Sequence, residues 1–175
     1  MHALTIMLED SAALQEHVRD ASVMLGLVST RLEPGKMARL DADKLLRQVD
    51  TARARGIEAR LVILGPVSFL KLARLAPDAA GSTLDFLDTV LNSYAALLTL
   101  LREEGVHQVQ LDEPCLALAL SDADRHAYEA AFERLSTLTS RPRVVLATAH
   151  GALRENLPLA VRAGFEALHI ELARG

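Results

Sequence analysis

The chain has 175 residues, half of them hydrophobic, 24% charged and 3% aromatic, with a net charge of −4. This length suits one domain with a sizeable core, and an acidic balance without a Lys/Arg run or aromatic surface argues against nucleic-acid binding. A single cysteine, Cys115, excludes an internal disulfide and an all-cysteine zinc site and fits a reducing cytoplasm; with no apolar run of about 18 residues and no basic leader, neither a membrane span nor a secretory signal is expected.

Ala3–Leu8 is short, apolar and β-competent, and reads equally as a first strand or a lead-in. From Asp10 the spacing of Leu14, Val18, Ala21 and Leu25 predicts a helix that Gly26 ends. Leu27–Arg39 is a linker with a Pro34-Gly35 turn. Asp41 is placed to cap a second helix, with Leu45, Leu46 and Val49 on one face and Gly56 as its stop. Arg60–Leu64 is continuously apolar after its arginine, the pattern of a strand covered on both faces. Gly65-Pro66 breaks it, and a short helix is expected over Val67–Leu75. After a loop from Pro77 to Gly81, Ser82 caps a long helix over Leu84–Glu104, ended by Gly105.

Val106–Cys115 then reads as a buried strand tipped by Asp112 and Glu113 and stopped by Pro114. Gln110 and Asp112 are two apart and leave the same face. Leu116–Leu120 connects to a helix capped by Ser121 and running to about Leu138. Arg143–Thr148 is the next strand, Leu153–Ala163 the next helix with Gly164 as its stop, and Ala167–Glu171 the last strand. From Arg60 onward strands and helices alternate, which predicts parallel strands joined by right-handed crossovers.

Three successive strands carry polar pairs at alternate positions near their C-terminal ends: Gln110 and Asp112, Thr148 and His150, His169 and Glu171. Within a barrel such a face points inward, and its C-terminal rim is where ligands bind. Unpartnered burial would cost about 1–3 kcal/mol per group, so these side chains bond to each other, to water or to a ligand. The pattern admits a hydrogen-bonded internal plug, a small-molecule site, or a divalent metal held by His150, Glu171 and Asp112 or Glu113. His107 faces the other way and reads as structural, His17 and His126 as solvated helix residues, and Cys115 as a small buried residue with no base beside it. Gly65-Pro66-Val67-Ser68 is a strand-to-helix turn whose amides suit an anion, although plain turn geometry also accounts for it. It lacks the P-loop and GxGxxG patterns.

Several of these segments resemble those of a known family. Val62-Ile63-Leu64-Gly65-Pro66-Val67-Ser68-Phe69-Leu70 is similar to the LIGPVTFL segment of cobalamin-independent methionine synthase, and Val109-Gln110-Leu111-Asp112-Glu113-Pro114 to its VQIDEP. Gly164–Arg174, with Leu168-His169-Ile170-Glu171-Leu172, looks like the family's GLHLDLVR strand, and His17–Gly26 resembles an early helix of the same N-terminal barrel. The resemblance implies a cytoplasmic (β/α)8 barrel in methionine biosynthesis. In the family two barrels together transfer a methyl group from a methyltetrahydrofolate polyglutamate to homocysteine. Zinc on the C-terminal barrel activates the thiol, and the N-terminal barrel helps bind the folate tail.

Departures from the family pattern shape what is expected here. One cysteine cannot supply the zinc set of one His, two Cys and one Glu. The long substrate-contacting segment is reduced to Arg31–Arg39, and the aromatic TYFG turn is Thr148-Ala149-His150-Gly151. The sequence ends at Gly175, where an eight-stranded barrel of about 250 residues has strands to come. The expected fold is therefore α/β: one partial or minimal TIM-type barrel domain over residues 1–175, with four or five parallel strands and helices outside. The expected function is a methionine-synthase-like domain that binds a folate polyglutamate or a homocysteine-like ligand without catalysing methyl transfer alone. Gln110, Asp112, Glu113, Thr148, His150, His169, Glu171 and Ser68 form the expected ligand site, with no catalytic residue assigned. No cofactor is expected, zinc entering only if His150, Glu171 and Asp112 make a rebuilt site. The alternatives are an active metal-dependent methyltransferase and a structural or assembly module. A homodimer, or a partner that completes the barrel, is expected because open sheet edges expose backbone groups; neither nucleic acid nor membrane is expected as a partner.

Overall fold

The computed structural model describes residues 4–5, 42–56, 60–75, 80–148 and 151–170. In chain order the elements are β1 (Leu4–Thr5), α1 (Asp43–Ala54), β2 (Leu61–Leu64), α2 (Pro66–Leu72), β3 (Arg74–Leu75), α3 (Leu87–Glu103), β4 (Gln108–Asp112), α4 (Asp122–Ser136), β5 (Arg143–Thr148), α5 (Leu157–Val161) and β6 (Ala167–Ile170). Single 3-10 turns at Thr83–Phe86, Pro114–Ala117 and Arg154–Asn156 lead into α3, follow β4 and lead into α5. β2, β4, β5 and β6 form one parallel sheet in that order, while β1 and β3 pair antiparallel with Leu4 opposite Leu75. The described strands make part of a barrel wall and do not close on themselves. The predicted helix over Asp10–Gly26 lies outside the described residues.

Register assigns the two faces of the sheet. Leu61, Val109 and Val144 align, as do Ile63, Leu111, Leu146 and Leu168. Aligned residues of parallel strands share a face. Leu61, Ile63, Val109, Leu111, Val144 and Leu146 are buried in the main hydrophobic core, on the side covered by the crossover helices. α3 supplies Val90, Leu91, Tyr94, Leu97, Leu98 and Leu101 to that core, a stripe at helical spacing. Burying a Leu or Val side chain fully contributes about 1.5–3 kcal/mol, so this face carries most of the domain's stability. Thr83–Glu103 is long and apolar enough to cross a membrane, but half of its apolar window is packed inside the domain, as a core helix requires.

Both expected serine caps are present. Ser82 Oγ accepts from the Leu84 amide at 3.2 Å and Asp85 returns the bond to the Ser82 amide at 2.9 Å. Ser121 and Asp124 make the same reciprocal box at α4. The structure differs at the helix expected over Leu153–Ala163, which is a 3-10 turn followed by a five-residue α5. Arg154 has φ +46°, and Pro158 has no N–H to give and would press its ring on the Arg154 carbonyl in a continuous helix. The last helical turns stop at Gly105 (φ +74°) and Gly164 (φ +75°), in the left-handed region that glycine enters without strain.

The N-terminal ends of the strands are held by a separate cluster. Arg141 donates twice to the Ser136 carbonyl, once to Pro142 O at 3.0 Å and once to Glu166 at 2.9 Å, and lies 5.8 Å from the Phe165 ring. Glu166 also accepts from the Val144 amide at 2.7 Å. Burial works against the Glu166 charge, but Arg141 and the Val144 amide outweigh it and hold the carboxyl below the ordinary range.

Candidate functional site

The second face of the sheet carries two rungs. Val62, Gln110, Val145 and Ala167 align in one, and Leu64, Asp112, Ala147 and His169 in the next, nearer the C-terminal ends. This face is less covered than the other: Val62 and Gln110 are half-buried, and Ala167 and His169 are exposed. Strands lie about 4.8 Å apart, so the backbones at Asp112 and His169 are about 10 Å apart with only the Ala147 methyl group between them. Leu64, Asp112 and Ala147 are buried in this rung, and His169 is its exposed member. Gln110 Nε2 donates to Asp112 Oδ1 at 2.8 Å, which orients the acid along the strand.

Of the expected site residues, the structure brings Gln110, Asp112 and His169 onto this face. Thr148 lies on the other one, because its register partner is Ile170 rather than His169. It is buried and its hydroxyl donates to the His169 carbonyl at 3.3 Å. The strand ends are staggered by one residue between β4 and β5, so polar residues at the two ends need not share a face. His150 and Glu171 lie outside the described residues. His107 and His126 are exposed, and Arg102 shares a hydrogen bond of 3.2 Å with His107 Nδ1.

Glu113 and Ser68 leave the open face altogether. Glu113 follows the last residue of β4 and turns its side chain beneath the Gly65–Ser68 turn, where it is fully buried. Its carboxylate accepts from the Val67 amide at 3.2 Å, the Ser68 amide at 2.8 Å and the Tyr128 hydroxyl at 3.2 Å. Ser68 Oγ in turn accepts from the Cys115 amide at 3.1 Å. The group that fills this turn is thus the chain's own carboxyl side chain. Gly65 has an ordinary φ of −73°, yet a Cβ there would overlap the Glu113 carboxylate. The Gly65 amide donates to the Asp112 carbonyl at 2.6 Å, and Tyr94 OH donates to the Leu64 carbonyl at 2.5 Å, so β2, β4 and the turn are tied where the strands end.

Electrostatics follow from this burial. Desolvation pushes the Glu113 carboxyl up to about 7, against the lowering effect of the Ser68 hydroxyl and amide, the Val67 amide and Tyr128. Burial, then the Glu113 charge, pushes the Tyr94 and Tyr128 phenols up. Burial also raises the Cys115 thiol, which is 4% exposed and therefore a poor thiolate. Sequence reasoning missed Tyr128, Tyr94 and Asn156. Tyr128 sits with Ala131 and Leu135 on the buried stripe of α4, where a phenol requires a hydrogen-bond partner. Asn156 Nδ2 donates to the Leu116 and Leu118 carbonyls, each at 2.8 Å, and holds the turn after Glu113 in place.

Residues 28–175 match the family described as cobalamin-independent synthase, N-terminal domain. The chain belongs to that family. Relatives include 5-methyltetrahydropteroyltriglutamate–homocysteine methyltransferases of Salinibacter ruber (40% identical over 136 residues) and Saccharophagus degradans (42% over 137 residues), each aligned over 78% of this chain. The Caulobacter vibrioides enzyme is 37% identical over 147 residues, 84% of this chain. The matched region spans only 17–19% of these relatives' own lengths. The zinc set that the family resemblance implies does not fit this cobalamin-independent synthase domain. It has one cysteine, which is buried, and no group of three His, Cys, Asp or Glu side chains able to hold a metal occurs among the described residues.

Proposed function

We propose that this domain binds a small polar ligand of methionine biosynthesis, a folate polyglutamate or a homocysteine-like amino acid, over the rung Leu64–Asp112–Ala147–His169, and does not transfer a methyl group by itself. The observation that carries this is the small Ala147 between Asp112 and His169 on the less covered face of the sheet. An ammonium group would sit toward Asp112 and a carboxylate toward the His169 ring N–H. Family membership and the activity named for the relatives support the choice of ligand class.

The reading includes cytoplasmic residence and completion of the barrel by a second copy or another chain. The motive is that open sheet edges would expose unpaired backbone groups. Calorimetry with homocysteine and with methyltetrahydrofolate triglutamate tests the proposal. Binding of either is expected, weakened at least tenfold by Asp112→Asn and by His169→Ala. No heat with both ligands, or binding that both substitutions leave unchanged, overturns it. Light scattering is expected to show a species larger than one chain.

A further inference from the structure

The Glu113 cage is distinct from the open face, and its chemistry does not depend on the identity of any ligand. Its lining is drawn from three places. α2 contributes the Val67 and Ser68 amides, α4 the Tyr128 hydroxyl, and Gly65 the space in which the carboxylate lies. All of these donors are neutral. Asp112, one residue before Glu113, lies on the second face of the sheet and accepts from Gln110. Lys71 of α2 has its ammonium on Asp124 of α4 at 2.6 Å. Tyr94 of α3 donates to Leu64 O, and Cys115 lies in the turn after β4. Among the described residues no cation contacts Glu113, and full burial without a counter-charge favours the neutral acid against the two amides and the Tyr128 hydroxyl, which favour the carboxylate.

We propose that Glu113 is a proton-linked latch: as the neutral acid it holds the Gly65–Ser68 turn shut against the end of β4, and as the carboxylate it favours opening of that turn to water. A reversal of hydroxyl direction accommodates the proton. The ionised group accepts from Tyr128 OH at 3.2 Å, whereas the neutral acid donates to the same oxygen, and Tyr128 then donates to Ser68 Oγ, 3.4 Å away. No heavy atom has to move. Opening exposes the side chain, returns it to an ordinary carboxyl and releases the bond from the Gly65 amide to Asp112 O. Through that bond the latch reaches the backbone beneath the Asp112 rung.

Linkage sets the sign. The closed form binds its proton up to about pH 7 and the open form only to about 4.5, so closure is strongest at acid pH and weakens as pH rises between those values. Amide hydrogen exchange on the full chain, corrected for intrinsic rates, reads this at Val67 and Ser68. Protection is expected to fall on the order of thirtyfold from about pH 5.5 to about pH 8.5. Glu113→Gln has no titrating group here and is expected to remove the pH dependence of protection, whatever its own level of protection. Carbon-13 titration of the Glu113 carboxyl in the unsubstituted protein needs no variant, and a midpoint near neutrality is expected. A midpoint near 4.5, or protection that stays constant or rises with pH in the unsubstituted protein, overturns the proposal.

Discussion

Gly65→Ala isolates the close approach that builds the cage. The backbone at Gly65 is extended (φ −73°, ψ 154°), a conformation alanine adopts freely, so no backbone strain is introduced. The new methyl group would occupy the position of the Glu113 carboxylate. That group is wedged beneath two amides and Tyr128 and has no space to retreat into without leaving them. Overpacking costs about 1–3 kcal/mol, and each buried donor left without its acceptor adds about 1–3 kcal/mol. With one donor left unpaired, a total loss of about 2–6 kcal/mol is expected, a large part of the roughly 5–15 kcal/mol of a typical domain. Urea unfolding followed by circular dichroism measures it. Gly56→Ala is the control, since Gly56 has φ +69° but nothing within 4 Å of its missing Cβ; only the backbone term of about 1 kcal/mol is expected there. Glu113→Ala removes the obstacle at the same site. The cost of the double substitution should therefore fall short of the summed single costs by more than about 1 kcal/mol. A Gly65→Ala loss no greater than that of Gly56→Ala, or costs that add within about 0.5 kcal/mol, would refute the reasoning.

Asn156→Ala deletes both donations to Leu116 O and Leu118 O; a loss of about 2–3 kcal/mol is expected by thermal unfolding, and Asn156→Asp is also expected to destabilise, since even the protonated acid supplies one donor for two carbonyls. Arg141→Ala removes the bonds to Ser136, Pro142 and Glu166, and about 2 kcal/mol is expected. Because the Glu166 carboxyl is held low, its contribution is present above the ordinary carboxyl range and lost as pH falls through the folded value. Denaturant midpoints measured between neutral and acid pH should therefore converge for Arg141→Ala and the unsubstituted protein as the pH is lowered. Parallel curves would show that Glu166 does not depend on Arg141.

Much of the fold was legible because it rests on short-range chemistry. The Ser82 and Ser121 caps, the Gly105 and Gly164 stops and the apolar run of Leu61–Leu64 each act within a few residues. So does the alternation of strands and helices that gives parallel β2, β4 and β5. The broken helix at Arg154–Val161 was less visible, since Pro158 permits either a late start or a kink, and the packing of Asn156 against the Leu116–Leu118 turn selects the late start.

By itself the sequence determined which residues are polar at the strand ends, the pairing of Gln110 with Asp112 on one face, and the single cysteine that cannot make the zinc set. Tertiary structure decided where the polar residues go. Thr148 and His169 are both last or next to last in their strands, but the register of β5 with β6 sends them to opposite faces. Glu113 is adjacent to Asp112, yet one residue past the strand end its side chain turns away from the open rung and into the amides of α2, held there by the missing side chain of Gly65, 48 positions earlier. Periodicity describes a strand only as far as its ladder continues. Beyond its last rung, direction is set by what the next strand and helix leave open.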